Sequence, residues 1–210
     1  FLPTGLQPRA ALGLSMSLTL ILLNKLGFTS DNILDELYYS FEELTKRCDE
    51  LSDCEDKNPA VILANEIHTM CPIIYGSEDL TWVAALRFRG QLEENAKMLA
   101  FHNIIPEQNH NEIEGWSCHP DLLATKCIIW LRDEDDHPRS LARMNVTSKL
   151  LESQVSKQFD IAEKGRSPLV RLLKMIHFND WVSYYVALLN NMDPTPVDRI
   201  TKLKEEMAKQ

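Results

Sequence analysis

At Asn58-Pro59 the texture of this sequence changes. From there to the end, short apolar runs alternate with longer stretches of helical periodicity. Pro59 to Met70 predicts a helix, and Pro72 to Tyr75 a short buried strand that stops at Gly76. Thr81 to Lys97 predicts a helix, and His102 to Ile105 an extended piece. Lys-Cys-Ile-Ile-Trp-Leu at Lys126 to Leu131 predicts a strand buried on both faces. Pro138 to Glu152, Leu169 to Asn190 and Pro196 to Ala208 predict helices, with a strand at Lys157 to Ala162 between the first two. Such alternation gives an α/β fold, a three-layer αβα sandwich around a mostly parallel sheet. Right-handed crossovers place helices on both faces. A site is then expected beyond the carboxyl ends of the strands.

Residues before Asn58 read as a helical lead-in. Pro8 can open a first helix that runs to about Lys25, with Gly27 as its stop. A second, amphipathic helix spans roughly Asp31 to Glu50, with Ile33, Leu34, Leu37, Tyr38, Phe41 and Leu44 at helical spacing. The acidic run Asp49 to Asp56 reads as a solvated connection. Ala10 to Leu23 is strongly apolar but short for a bilayer, and a buried helix is the expectation there.

Charge narrows the range of functions. The net charge is −9, and nucleic-acid binding needs clustered cations, so neither DNA nor RNA is an expected partner. Five cysteines at irregular spacing (Cys48, Cys54, Cys71, Cys118 and Cys127), with no Cys-x-x-Cys, fit reduced thiols in the cytoplasm. No zinc site is expected. His110-x-Glu112 matches half of a zinc deaminase signature, but the second half is missing.

The chemistry-bearing residues concentrate between Pro72 and Trp116. On the predicted helix Thr81 to Lys97, Arg87, Gln91 and Glu94 share a face, with the small Gly90 between them, where a ligand or another backbone could come close. Glu94 lies near the helix C-terminus, where the macrodipole disfavours a carboxylate, and Glu93 is adjacent. Both influences suit a general base, and Arg87 would oppose them. The residues alone leave Glu94 open between a base and a solvated helix-end charge. They likewise leave His110, in Asn-His-Asn-Glu, open between a functional group and a loop histidine.

Glu94-Asn95-Ala96-Lys97, then Pro106-Glu107, then His110-Asn111-Glu112 resemble the C-terminal sugar isomerase (SIS) domain of bifunctional phosphoglucose/phosphomannose isomerases of archaea and bacteria. The resemblance continues through Trp130-Leu131-Arg132-Asp133, His137-Pro138-Arg139 and Asp193-Pro194-Thr195-Pro196. Gln7-Pro8-Arg9-Ala10-Ala11 is similar to the segment that leaves the first SIS domain in that family. The resemblance implies an SIS-type sheet and an aldose–ketose isomerase acting on glucose, mannose and fructose 6-phosphates through a cis-enediolate, with no metal or organic cofactor. It implies Glu94 as base, Arg9 as the cation beside the enediolate, and His110 assisting ring opening from a neighbouring subunit of a homodimer. A lysine on the last helix, Lys204 or failing that Lys202, serves the same end, and Thr195 gives room for both C2 epimers. Arg87 and Gln91 are expected on substrate. Read from the residues alone, Thr195-Pro196 is also a helix cap with its N1 proline, and Lys202 and Lys204 are also ordinary helix-end cations.

The family's Ser/Thr-rich phosphate loop has no counterpart here, and Ser77 is the one local candidate for such a contact. The chain is therefore expected to be a piece of a longer enzyme. Residues 1–57 would be the lead-in from an N-terminal SIS domain, and 58–210 the C-terminal SIS domain with its terminal helix. A non-catalytic sugar-phosphate-binding module is the competing expectation, and a purely dimerising domain a third.

Overall fold

The computed structural model describes residues 3–210. The lead-in comprises a 3-10 turn at Pro8–Ala11, α1 at Leu12–Lys25 and α2 at Ile33–Ser52. The alternating part follows as α3 (Pro59–Ile67), β1 (Cys71–Ser77), α4 (Trp82–Asn95), β2 (Phe101–Ile105), a 3-10 turn (Glu107–His110), α5 (Glu112–Gly115), α6 (Pro120–Leu123), β3 (Lys126–Arg132), α7 (Pro138–Leu150), β4 (Lys157–Ala162), α8 (Pro168–Leu189) and α9 (Asp198–Met207). The four strands are all parallel, in the order β2-β1-β3-β4.

Alternation along β3 builds the two inner faces. Cys127, Ile129 and Leu131 join Ile74 and Ile161 under α3, α4 and α8, while Ile128 and Trp130 join Tyr75 and Ile105 under α5 to α7. The central strands β1 and β3 are buried on both sides, which is why β3 reads as an unbroken apolar run. Local chemistry starts the helices where the sequence suggests. Asn58 caps α3 by accepting from Ala60 N, Ser167 caps α8 by accepting from Val170 N, and His137 Nδ1 caps α7 by accepting from Arg139 N; each is followed by proline. Gly76 is required sterically: a Cβ there would lie 2.7 Å from the backbone of Thr81 and Trp82, so the start of α4 rests directly on β1.

Several expectations are corrected. The apolar stretch from Ala10 to Leu23 is helical but not buried: α1 buries no residue, and Leu14, Leu18 and Leu22 face outward. On α2, Tyr38 points to solvent despite its helical spacing, since Leu37 and Ser40 take the contact with α8. The last helix begins at Asp198 rather than Pro196, with Val197 as its cap. Thr195 lies two residues before that cap and does not cap the helix; its backbone N–H is bonded to Asp193 Oδ1 at 2.8 Å.

Candidate active site

Pro8 fixes the lead-in turn so that Arg9 projects onto the C-terminal end of α4. Its Nε donates to Asn95 Oδ1 (2.8 Å) and its Nη1 to Glu94 Oε2 (3.2 Å) and to Gln7 Oε1. Its Nη2 donates to the carbonyls of Pro194 (2.7 Å) and Thr195 (2.9 Å). Gln7 also reaches Thr195 O, at 2.7 Å. One guanidinium thus ties the start of the chain, the end of α4 and the segment before α9 into a single knot. Glu94 Oε1 makes no hydrogen bond among the described residues and stays open to a ligand proton.

Beside the knot lies a cleft of about 380 Å³ between the lead-in, α4 and α8, within the size range of small-molecule sites. Arg9, Arg87, Gln91, Asn95, His177 and Asp180 supply its polar wall, and Leu12, Phe41 and Ile176 part of its apolar one. Arg87 and Gln91 do face the cleft, but both are bonded to Asp180. Arg87 meets its carboxylate through Nε (3.2 Å) and Nη2 (2.6 Å), and Gln91 Nε2 meets Oδ1 at 2.9 Å. Arg87 Nη2 also donates to Arg9 O at 2.9 Å. The arginine opposite Glu94 is therefore Arg9 and not Arg87, and Arg87 braces the backbone of Arg9 from behind. Burial holds the Asp180 carboxyl above the usual carboxylate range, against the pull of Arg87. Gly90 has open space at its Cβ position and no close backbone.

His177 accepts a hydrogen bond from the Trp181 indole at Nε2 (3.1 Å), which leaves its proton on Nδ1. Burial, and secondarily Arg47, lower its pKa from the ordinary 6.5. The folded chain therefore resists protonating it. Stability should be full above pH 6.5 and decline as acid charges the imidazole below that value. Thermal melts from pH 7.5 down to pH 5 are expected to show a smaller acid loss for His177→Gln than for the native chain. Parallel losses would refute this.

Sequence reading missed Asp180 and His177 and gave Lys97 no role of its own. Lys97 follows α4 in a left-handed conformation, φ +56°, and its ammonium donates to the carbonyls of Glu94 (2.7 Å) and Asp193 (2.8 Å). Burial, then the nearby Arg9 charge, lower its pKa. Lys97 belongs to the Glu-Asn-Ala-Lys motif, but its turn conformation has no signal in the sequence. Lys202 and Lys204 lie on α9, which is exposed throughout, and their ammonium groups make no hydrogen bond among the described residues.

The two ends of the sheet differ in kind. The crossover helix α4 runs back from the carboxyl end of β1 to the start of β2, so Glu94, Arg9 and Thr195 gather at the amino ends of the strands rather than the carboxyl ends expected. His110 comes after the five residues of β2, on the opposite edge, about 15 Å or more away at ~3.3 Å per residue. It is exposed and unbonded there. The carboxyl-end crevice between β1 and β3 is occupied by carboxylates. Ser77 Oγ donates to Asp79 Oδ2 (2.8 Å), which also accepts from His137 N (2.9 Å). Those bonds, from His137 first, lower the Asp79 pKa, whereas burial raises that of Asp136. Asp133 is clamped by Arg171 at 2.7 and 2.9 Å. Ser77 is thus committed to Asp79, a neighbour that repels an anion. No cluster able to hold a metal ion occurs among the described residues, and no helix described is long and apolar enough to cross a membrane.

Residues 56–207 match the model of the bacterial phospho-glucose isomerase C-terminal SIS domain. The chain belongs to that family. Bifunctional phosphoglucose/phosphomannose isomerases are similar to this SIS chain along nearly its whole length. That of Caldicellulosiruptor bescii is 40% identical over 209 residues, covering 99% of this chain and 61% of the relative. That of Aquifex aeolicus is 37% identical over 207 residues, covering 99% and 60%. This chain thus spans about three-fifths of their length. The glucosamine-6-phosphate deaminase of Thermotoga maritima shares the fold of the SIS domain, with a TM-score of 0.59 at 11% identity over 90% of this chain and 54% of that one. A glucose-6-phosphate isomerase like protein from Thermus thermophilus does so with a TM-score of 0.56 at 20% identity, over 66% and 46%.

Proposed function

We propose that this chain is the C-terminal part of an aldose–ketose isomerase that interconverts glucose 6-phosphate or mannose 6-phosphate with fructose 6-phosphate. The observation that carries the reading is the Arg9–Glu94 pair at 3.2 Å, with Glu94 Oε1 free, beside a cleft of about 380 Å³. Glu94 takes the proton from C2 of the open-chain aldose and returns it to C1 of the cis-enediolate. Arg9 stands where the negative charge of the enediolate develops, and the Lys97 ammonium lies close behind. A prearranged cation of this kind contributes about 3 kcal/mol to an enzymic barrier. Asp180, through Arg87, keeps the backbone of Arg9 in place. Arg87 and Gln91 line the substrate space while held by Asp180.

His110 opens the sugar ring. Its position across the sheet from Glu94 supports the reading that it acts on a second copy of the chain, in a homodimer. Lys204, or Lys202, joins the ring-opening end from α9, and Thr195 borders the room left for the C2 epimers. Residues 1–57 form the lead-in from an N-terminal SIS domain, which holds the phosphate. The acid-lined strand ends of 58–210 support that division of labour. No cofactor is involved, and the enzyme works in the cytoplasm.

The test is a coupled assay on the longer enzyme, supplied with fructose 6-phosphate and read for both aldose phosphates. Both products are expected. Binding of the sugar phosphate without either product would overturn the isomerase reading in favour of a binding module.

A further inference from the structure

The segment that carries His110 is fastened underneath by a polar network that no step above uses. Glu112, two residues on, is held at both carboxylate oxygens: Oε1 accepts from the Tyr75 hydroxyl, and Oε2 from Asn103 Nδ2 at 2.6 Å. Tyr75 is fully buried in β1, and its oxygen also accepts from Trp116 Nε1 at 3.1 Å. On the other side of the turn, Asn109 Nδ2 donates to Thr147 Oγ1 of α7 at 2.8 Å. Asn111 Oδ1 accepts from Glu112 N at 2.6 Å and so fixes the link between His110 and Glu112. The stretch 107–116 is thereby tied to β1, β2 and α7, while the His110 side chain stays exposed.

These groups lie against an apolar cluster that includes Ile105, Ile128, Trp130 and Met144. Apolar side chains would fill the same space without shielding a carboxylate from water, so filling space does not account for them. Polar bonds constrain direction, which apolar packing does less well. An exposed imidazole that must reach substrate on another molecule has no contacts of its own to direct it, so its direction has to come from the backbone beneath.

We propose that Tyr75 and Glu112 are positioning residues, which hold the 107–116 segment so that His110 is presented to substrate bound on a second copy of this chain. The proposal rests on the role given to His110 under Proposed function. Tyr75→Phe keeps the volume and removes both hydrogen bonds at the hydroxyl. It is expected to lower kcat of the longer enzyme on the order of 10- to 100-fold, the scale of a small displacement of a reacting group, with KM changed less than about twofold. Glu112→Gln, which loosens the same network from the other side, should do likewise and carries the test if the first variant folds poorly.

The deciding measurement is the double variant with His110→Ala. If the network acts through His110, Tyr75→Phe and Glu112→Gln have no further effect once the imidazole is gone. Equal fold-losses with and without His110 would overturn the proposal in favour of a structural role. So would an unchanged kcat in both single variants. An indifferent His110→Ala would instead sink the reading of His110 itself, and the proposal with it.

Discussion

Glu94→Gln is expected to lower turnover of the longer enzyme by about 10³-fold or more, with little change in KM, because it removes the proton acceptor and keeps the shape. The amide oxygen can still accept from Arg9, which sits 3.2 Å from Oε2 in the native chain. Folding should therefore survive, with stability altered by no more than about 1 kcal/mol, as is usual for partly exposed charges. Exchange of a C1 proton of fructose 6-phosphate with deuterated solvent separates the chemical step from binding: the variant should bind fructose 6-phosphate and exchange that proton at a rate lowered as much as turnover. A variant that folds and turns over normally would remove Glu94 from the mechanism and leave Arg9 and Lys97 as a binding site for anions.

The largest stability effect is expected at Arg171→Met. Arg171 and Asp133 are almost wholly buried, at 3% and 2% side-chain exposure, and the guanidinium also serves Asp135, Glu134 and the Gly165 carbonyl. Truncating it leaves the Asp133 charge shielded from water with no cation. Breaking a buried pair from one side costs about 3–5 kcal/mol, so Tm should fall on the order of 10 °C for a chain of this size. Arg171→Met with Asp133→Leu should recover much of the loss, since the stranded charge is then gone too. Urea melts of the two variants read both effects. A single variant within about 1 kcal/mol of the native chain would mean that water reaches Asp133.

Much of the architecture is legible in the residues because the physics that builds it is local. Lys126 to Leu131 has no polar residue after its first, and six residues rich in isoleucine and tryptophan suit a strand covered on both faces better than a helix. Pro59 and Pro138 open their helices in the sequence as in the structure, whereas α8 starts at Pro168, one residue before the expected Leu169, where Ser167 caps it. The short helices α5 and α6 were not legible, since four residues carry no periodicity. The outward face of α1 was not legible either, because apolar content says that a helix avoids water without saying where its cover is.

The candidate site divides in the same way. Arg9, Glu94 and Thr195 are named by motif, and the structure brings them together. Asp180 lies 93 residues from Arg87 in a helix that otherwise reads as core, and only tertiary packing pairs them. Which end of the sheet each residue occupies depends on the crossovers, so the separation of Glu94 from His110 was also out of reach. So was the filling of the carboxyl-end crevice by Asp79, Asp133 and Asp136, which takes a fold.

Arg9 holds segments far apart in the sequence, Gln7 on one side and Pro194 and Thr195 on the other. Bonds among partly exposed segments open at a low cost in free energy, whereas the buried strands let go only with the whole. Warming or mild denaturant would therefore undo the guanidinium's bonds while the sheet still gives a native spectrum. Activity would fade before structure does, and storage assays that follow secondary structure would overestimate the useful life of the protein.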